Sequence, residues 1–86
     1  MRRYRKRPIV VEAIQLTEET FAECLEFIGD ENWVEADKEE IMISIETLEG
    51  ISNASDGNYI IKGIAGEFYP CREYIFNSTY DLVDDE

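Results

Sequence analysis

The sequence contains no histidine, only two cysteines and no long apolar run. Histidine is the usual general base and a common zinc ligand, so its absence argues against a zinc site and a histidine-activated nucleophile. Cys24 and Cys71 stand 47 positions apart without a secretion signal, which predicts two free thiols instead of a disulfide. Because no apolar block follows the first charges, we expect no signal peptide, no membrane span and a cytoplasmic protein.

Positive charge is scarce beyond the first seven residues. The chain has eight Lys and Arg against twenty Asp and Glu, a net charge of −12, and five of the basic residues lie between positions 2 and 7. From residue 8 onward, three basic residues face twenty acidic ones, a net charge of −17. So acidic a body repels nucleic acid and anionic membranes, and it favours basic partners or simply keeps the protein in solution.

A chain of 86 residues predicts one domain, residues 1–86, with a modest core. Its first predicted strand covers residues 9–16, and apolar residues on both faces suggest a position inside a sheet. Residues 4–7 lead into this strand without a flexible linker. We therefore expect them to extend it and to have no nucleic-acid function, although a disordered basic arm that binds a polyanion is the alternative.

One amphipathic helix is predicted between Thr17, a good N-cap, and Gly29, a C-cap candidate. Its apolar stripe and its opposite acidic face are formed by Phe21, Cys24, Leu25 and Ile28 and by Glu19, Glu23 and Glu26. A short strand is expected around Trp33. Residues 41–48 form the clearest strand, and alternation assigns Ile41, Ile43 and Ile45 to the core and Ser44 and Glu46 to the outside.

A turn at residues 49–50 leads to a weak strand candidate, residues 51–54, and residues 55–58 form a second turn by composition. A hairpin follows at residues 59–71. A three-residue loop with Gly66 in the left-handed conformation places Ile61 across from Tyr69 and Tyr59 across from Cys71. A two-residue loop would instead pair Ile60 with Cys71. Because Pro70 cannot donate a ladder hydrogen bond, the returning strand lies at an edge or ends there.

After the hairpin, residues 72–77 could form one helical turn that places Tyr74, Ile75 and Phe76 against the sheet. Residues 79–83 are predicted as a final strand, and residues 84–86 are expected to fray. These elements predict an α+β fold with a small, mainly antiparallel or partly rolled sheet and one amphipathic helix packed on it. Many functions share this architecture, so the fold does not identify one.

Several segments resemble a family of small uncharacterised phage and prophage proteins. The most specific is the Gly-Glu-Phe-Tyr-Pro-Cys block of residues 66–71, together with the Tyr-Ile-Ile-Lys-Gly strand of residues 59–63. Similar residues also occur at positions 5–15, 75–76 and 79–80. Family members often have Pro-Gly-Asp-Tyr where this chain has Asp56-Gly57-Asn58-Tyr59. The resemblance implies a phage or prophage origin and the cytoplasm of a host cell, and it implies no activity.

No constellation for catalysis is evident. Cys71 has no histidine to act as its base, and adjacent carboxylates such as Glu39 and Glu40 point apart. The glycines at 57, 63 and 66 lack the spacing of a phosphate loop. The acidic residues Asp30, Glu31, Glu35 and Asp37 lack the spacing of a calcium loop. We therefore expect a protein that is not an enzyme and that has no metal site and no cofactor.

A protein-interaction module is the favoured function, with an unidentified host or phage protein as the partner. Aromatic and arginine side chains dominate interface hot spots. The candidate partner-binding residues are Tyr59, Lys62, Phe68, Tyr69, Arg72 and Tyr74. The alternative for each aromatic residue is that it fills the core.

An acidic nucleic-acid mimic that inhibits a host DNA-binding protein is the second hypothesis. Twelve acidic residues lie between positions 18 and 49, against the single Lys38. A small-molecule or nucleotide binder that uses the glycine-rich hairpin mouth is the third. Because the body is so acidic, we expect no direct nucleic-acid binding and no membrane binding, and the oligomeric state stays open.

Overall fold

Two three-stranded antiparallel sheets and two helices make up the protein in a computed structural model, which describes residues 1–83. The elements are β1 (Glu12–Gln15), α1 (Phe21–Ile28), β2 (Trp33–Asp37), β3 (Met42–Thr47), β4 (Gly50–Ser55), β5 (Tyr59–Lys62), β6 (Phe68–Cys71) and α2 (Glu73–Thr79). The strand order is β1-β5-β6 in the first sheet and β2-β3-β4 in the second. The α+β class is confirmed, and a second helix stands where a single helical turn was predicted.

One hydrophobic core joins both sheets to α1. It consists of Leu16, Phe21, Cys24, Ile28, Ile43, Ile45, Ala54, Ile60 and Phe68. The helix contributes through its predicted apolar stripe, and the ring of Phe27 meets the ring of Phe68 edge to face with centroids 5.3 Å apart. Each fully buried isoleucine stabilises the fold by roughly 1.5–3 kcal/mol. Because β6 lies against β3 and β4, Phe68 connects the first sheet to the second.

The hairpin of β5 and β6 has the predicted register. Tyr59 pairs with Cys71 and Ile61 with Tyr69, so the two-residue loop is wrong. Gly66 has φ +83°, in the left-handed region. The N–H of Gly63 donates to the carbonyl of Glu67 at 2.7 Å, which closes the three-residue loop. The strand β6 lies at the edge of its sheet, as the position of Pro70 indicated.

The first strand is shorter than predicted and lies at an edge. It begins at Glu12, so the prediction that residues 4–7 extend it is wrong. Glu12 pairs with Lys62, the last residue of β5, and the chain turns after that residue. Earlier residues consequently have no partner on β5. The interior position is wrong, because β5 is the only strand paired with β1 in the described chain. Ala13 and Ile14 lie on opposite faces and are both half-buried, which accounts for apolar residues on both faces.

The helix begins at Phe21, four residues after the predicted cap Thr17, and its N-cap is Thr20. A turn at residues 18–20 precedes it. In this turn the N–H of Thr17 donates to the hydroxyl of Thr20 at 2.9 Å, and the N–H of Thr20 donates to the hydroxyl of Thr17 at 3.2 Å. The two hydroxyls therefore stabilise the turn and not the helix. The other end is as predicted, because Gly29 is the C-cap with φ +89°.

The second sheet matches the predicted strands with two exceptions. Ile41, predicted as a core residue of the third strand, precedes β3 with φ +54° and is only half-buried. A strand at Trp33, the partner strand after Gly50 and the turn at Gly57 are all present. Ser44 was predicted to face outward, but it is buried, and its hydroxyl donates to the side-chain oxygen of Asn53 at 2.7 Å. This cross-strand hydrogen bond satisfies the hydroxyl. The side chain of Ser44 can therefore be buried at little cost in free energy.

The C-terminal region differs most from its prediction. The helix α2 is a seven-residue helix, and of the three residues predicted to pack on the sheet only Phe76 does so, while Tyr74 and Ile75 are exposed. Neighbouring helical residues point about 100° apart, so a helix oriented by Phe76 turns the two preceding side chains away. The strand predicted at residues 79–83 is absent from the described chain because Thr79 ends the helix. Residues 84–86 lie outside the described residues.

Replacement of Gly66 tests the hairpin loop. A Cβ at this position meets no atom within 4 Å, so Gly66→Ala introduces backbone strain without a steric clash. We expect a loss of about 1 kcal/mol in the free energy of unfolding, measured with urea. Gly66→Asn is the control and should lose less, because asparagine adopts the left-handed conformation more readily. Equal stability of Gly66→Ala and wild type would contradict the assigned loop.

Candidate interaction surface

An aromatic layer covers the face of the first sheet that points away from the core. Because side chains alternate along a strand, Tyr59 and Tyr69 lie on this face, while Ile60 and Phe68 lie on the core face. The rings of Tyr59 and Phe76 stack with centroids 3.8 Å apart and planes 8° apart. The rings of Phe76 and Tyr80 follow at 4.9 Å. This stack holds α2 on the sheet.

Tyr69 lies at the end of this layer beside Tyr80. Its pKa is raised from the ordinary value of 10 to about 12. Burial is the largest cause, followed by the neighbouring Tyr80 hydroxyl and by the nearby charge of Glu67. All of these disfavour the phenolate. Tyr69 is therefore neutral at physiological pH and can donate or accept a hydrogen bond.

The six candidate binding residues do not form one surface. Phe68 lies in the core, and Tyr59 and Tyr69 are half-buried. The side chains of Lys62, Arg72 and Tyr74 are exposed. The amine of Lys62 lies 6.0 Å from the centroid of the Phe68 ring, on the far side of the sheet from Tyr69. Among the six, only Tyr69 lines the grooves described next.

An open groove of about 450 Å³ lies between the tip of the β3–β4 hairpin and the strand β6, and we call it the β4–β6 groove. The side chains of Leu48 and Ile51 are 78% and 59% exposed. The opposite wall comes from β6 and the residue before it. The lining residues that matter for binding are Leu48, Ile51, Tyr69 and Pro70, which are largely apolar, and the carboxylates Glu49 and Glu67.

A second groove, of about 390 Å³, lies on the other side of Tyr69, and we call it the N-terminal groove. Lys6 and Arg7 line it together with Tyr80 and the hairpin loop at Gly63. Tyr69 and Glu67 line both grooves and separate them. The two grooves differ in charge, because the charged lining residues of the β4–β6 groove are carboxylates, while the N-terminal groove also contains two cations.

Charge is divided unevenly along the described chain. Residues 17–55, which include α1 and the second sheet, contain twelve acidic residues and one lysine, and all twelve are exposed. The remaining described residues contain seven basic and five acidic residues. The second sheet and α1 therefore form a strongly acidic half, and the rest of the described chain carries a small positive charge.

Both cysteines are free thiols, as predicted. Burial raises the pKa of the Cys71 thiol and is the largest cause of the raised pKa of Cys24. A raised pKa lowers the fraction of reactive thiolate at neutral pH. Within residues 1–83, no three cysteine or carboxylate side chains gather as a metal site requires. In the same residues no helix has both the length and the apolar character needed to span a membrane.

Comparison with known proteins gave no relative: no protein-family model, curated protein or solved structure matches the chain.

The sequence did not identify Leu48, Ile51 and Pro70 as binding residues. Leu48 precedes a predicted turn and Ile51 begins a weak strand candidate, so neither belonged to a conspicuous motif. Exposed apolar residues at a hairpin tip are the available signal, since such positions are usually polar. The groove itself depends on the approach of β4 to β6, which are separated in the chain by β5.

The raised pKa of Tyr69 predicts a loss of stability in alkali. The phenol releases its proton near pH 10 in the unfolded chain but near pH 12 in the folded one, so the folded state binds more protons between these values. The free energy of unfolding should fall across this interval. Tyr69→Phe should reduce the fall, while the control Tyr74→Phe, which changes an exposed ring, should not. Urea denaturation at about pH 9, 10 and 11 measures this change in the free energy of unfolding. Identical slopes for both variants would contradict the placement of Tyr69.

Proposed function

We propose that the protein is a small non-enzymatic protein-interaction module of the phage or prophage type, and that the β4–β6 groove with Tyr69 is its contact surface. The main support is the exposure of Leu48 and Ile51 beside a groove of about 450 Å³. Contiguous exposed apolar side chains on a small domain commonly mark a binding surface. The partner is a host or phage protein.

The groove offers two means of binding a polypeptide. Its walls include β4 and β6, which are the outer strands of the two sheets, and an outer strand is the usual place where an added strand pairs. The side chains of Ile51, Tyr69 and Pro70 provide apolar contact area, and the Tyr69 hydroxyl provides a group that can hydrogen-bond. Tyrosine at the rim of an apolar pocket is a common interface hot spot. An extended segment with one apolar side chain fits this arrangement.

Truncation of Ile51 tests the surface. Ile51→Ser removes apolar area from the groove, and Val34→Ser is the matched control, because Val34 is 54% exposed on β2, the opposite outer strand of the same sheet. We expect Ile51→Ser to weaken partner binding by about tenfold and Val34→Ser to leave it unchanged. The measurement is affinity purification from a bacterial lysate with mass spectrometry, followed by titration of the recovered partner.

Circular dichroism of both variants checks that the fold is retained. Equal recovery of every partner by Ile51→Ser and wild type would contradict the assignment of this surface. Equal loss with Val34→Ser would do so as well, because that result would not depend on the groove.

An acidic nucleic-acid mimic is the second candidate function. It is favoured by the exposure of all twelve acidic side chains in residues 17–55. Binding to a basic DNA-binding protein should then weaken steeply as salt rises and should compete with duplex DNA. Titration of the recovered partner at 50 and 300 mM salt, with and without duplex DNA, measures both effects. Binding that is insensitive to salt and DNA would exclude the mimic.

A further inference from the structure

We propose that the β4–β6 groove binds the basic N-terminal segment, residues 2–7, of a second copy of this chain, with Tyr4 inserted between the groove walls. The inference rests on the proposed function, because it uses the same groove as the docking site. It adds an occupant, and it predicts that the protein associates with itself through exchanged N-terminal segments.

The first argument is the chemistry of the groove. Leu48, Ile51 and Pro70 give it apolar walls, and its charged lining residues are Glu49 and Glu67. The Glu67 carboxylate accepts a hydrogen bond from the N–H of Ala65 at 3.0 Å through one oxygen. The second carboxylate oxygen of Glu67 can accept a hydrogen bond from a cationic side chain of a bound segment. Such a groove selects a segment that has an apolar or aromatic side chain flanked by positive charges.

The N-terminal segment has this composition. Tyr4 lies between Arg3 and Arg5, and three further cations occur at positions 2, 6 and 7. Tyr4 is 87% exposed, and residues 1–10 are all exposed and lie outside the strands. In an extended conformation the side chains of Arg3 and Arg5 point away from the side of Tyr4. The side chains of Arg2 and Lys6 point to the same side as Tyr4. Insertion of Tyr4 therefore brings Arg2 and Lys6 towards the groove rim.

The second argument concerns charge between copies. Beyond residue 7 the chain has a net charge of −17, so two bodies repel each other unless cations lie between them. The five cations of the segment are the largest concentration of positive charge in the sequence. Placed in the groove of another copy, they lie against its acidic half, which begins at the wall formed by residues 47–52. Charge complementarity therefore favours this docking mode.

The N-terminal segment of a second copy suits the β4–β6 groove better than the segment of the same chain does. Within one chain Lys6 and Arg7 line the N-terminal groove, on the other side of Glu67 and Tyr69 from the β4–β6 groove. The chain's own segment thus leaves the β4–β6 groove open. Exchange between copies fills this groove without displacing α2 or the aromatic layer.

Sedimentation of the full chain at low ionic strength tests the association. We expect concentration-dependent association in wild type and none after deletion of residues 2–7. Glu49→Lys reverses a charge in the groove and should weaken association about tenfold. Glu26→Lys is the matched control, since it makes the same change at another exposed carboxylate, on α1, and should have little effect. A monomeric wild type, or equal effects of the two reversals, would overturn the proposal.

A synthetic peptide of residues 1–8 provides the second measurement. Added to isotope-labelled protein that lacks residues 2–7, it should shift the NMR signals of Leu48, Ile51 and Tyr69, and a Tyr4→Ala peptide should bind about tenfold more weakly. Equal affinity of both peptides, or shifts elsewhere, would overturn the docking mode. Peptide binding combined with a monomeric full chain would also overturn it, because the chain's own segment would then be the occupant. The proposed function is tested separately, by partner recovery with Ile51→Ser.

Discussion

The register of the β5–β6 hairpin is the constraint on which the rest of the structure depends. Gly66 adopts φ +83° and closes a three-residue loop, so that Tyr59 pairs with Cys71. A slip of one residue would exchange Phe68 and Tyr69 between the two faces of the sheet. The core would then receive a phenol without a partner, and the outer layer would lose the tyrosine that separates the two grooves.

With this register, one short hairpin serves both faces of its sheet. Ile60 and Phe68 join the core, where Phe68 meets Phe27 of α1 and connects the sheets. On the opposite face, the stack of Tyr59, Phe76 and Tyr80 holds a seven-residue helix that has no buried residue. Because both faces are covered, the surfaces left for binding lie at strand edges and hairpin tips. The β4–β6 groove is such a place.

Local signals predicted much of this fold. The positive φ required at Gly66 and the missing N–H of Pro70 were enough to assign the hairpin and its edge, and isoleucine alternation assigned β3. The predictions were wrong where the structure of a segment depends on residues that are distant in the chain. Residues 4–7 lack a strand partner because β5 ends at Lys62, and the burial of Ser44 is tolerated because Asn53 on the neighbouring strand accepts its hydrogen bond. The groove was not predictable, because the approach of β4 to β6 leaves no local pattern around Ile51.

The central claim is that the hairpin directs Phe68 into the core and Tyr69 to the outer surface. Nuclear Overhauser effects between assigned aromatic ring protons test it most directly, since they require rings in close contact. The structure predicts cross-peaks between the rings of Phe27 and Phe68 and between those of Tyr59 and Phe76. Cross-peaks between Phe27 and Tyr69, without any between Phe27 and Phe68, would contradict the register and every surface derived from it.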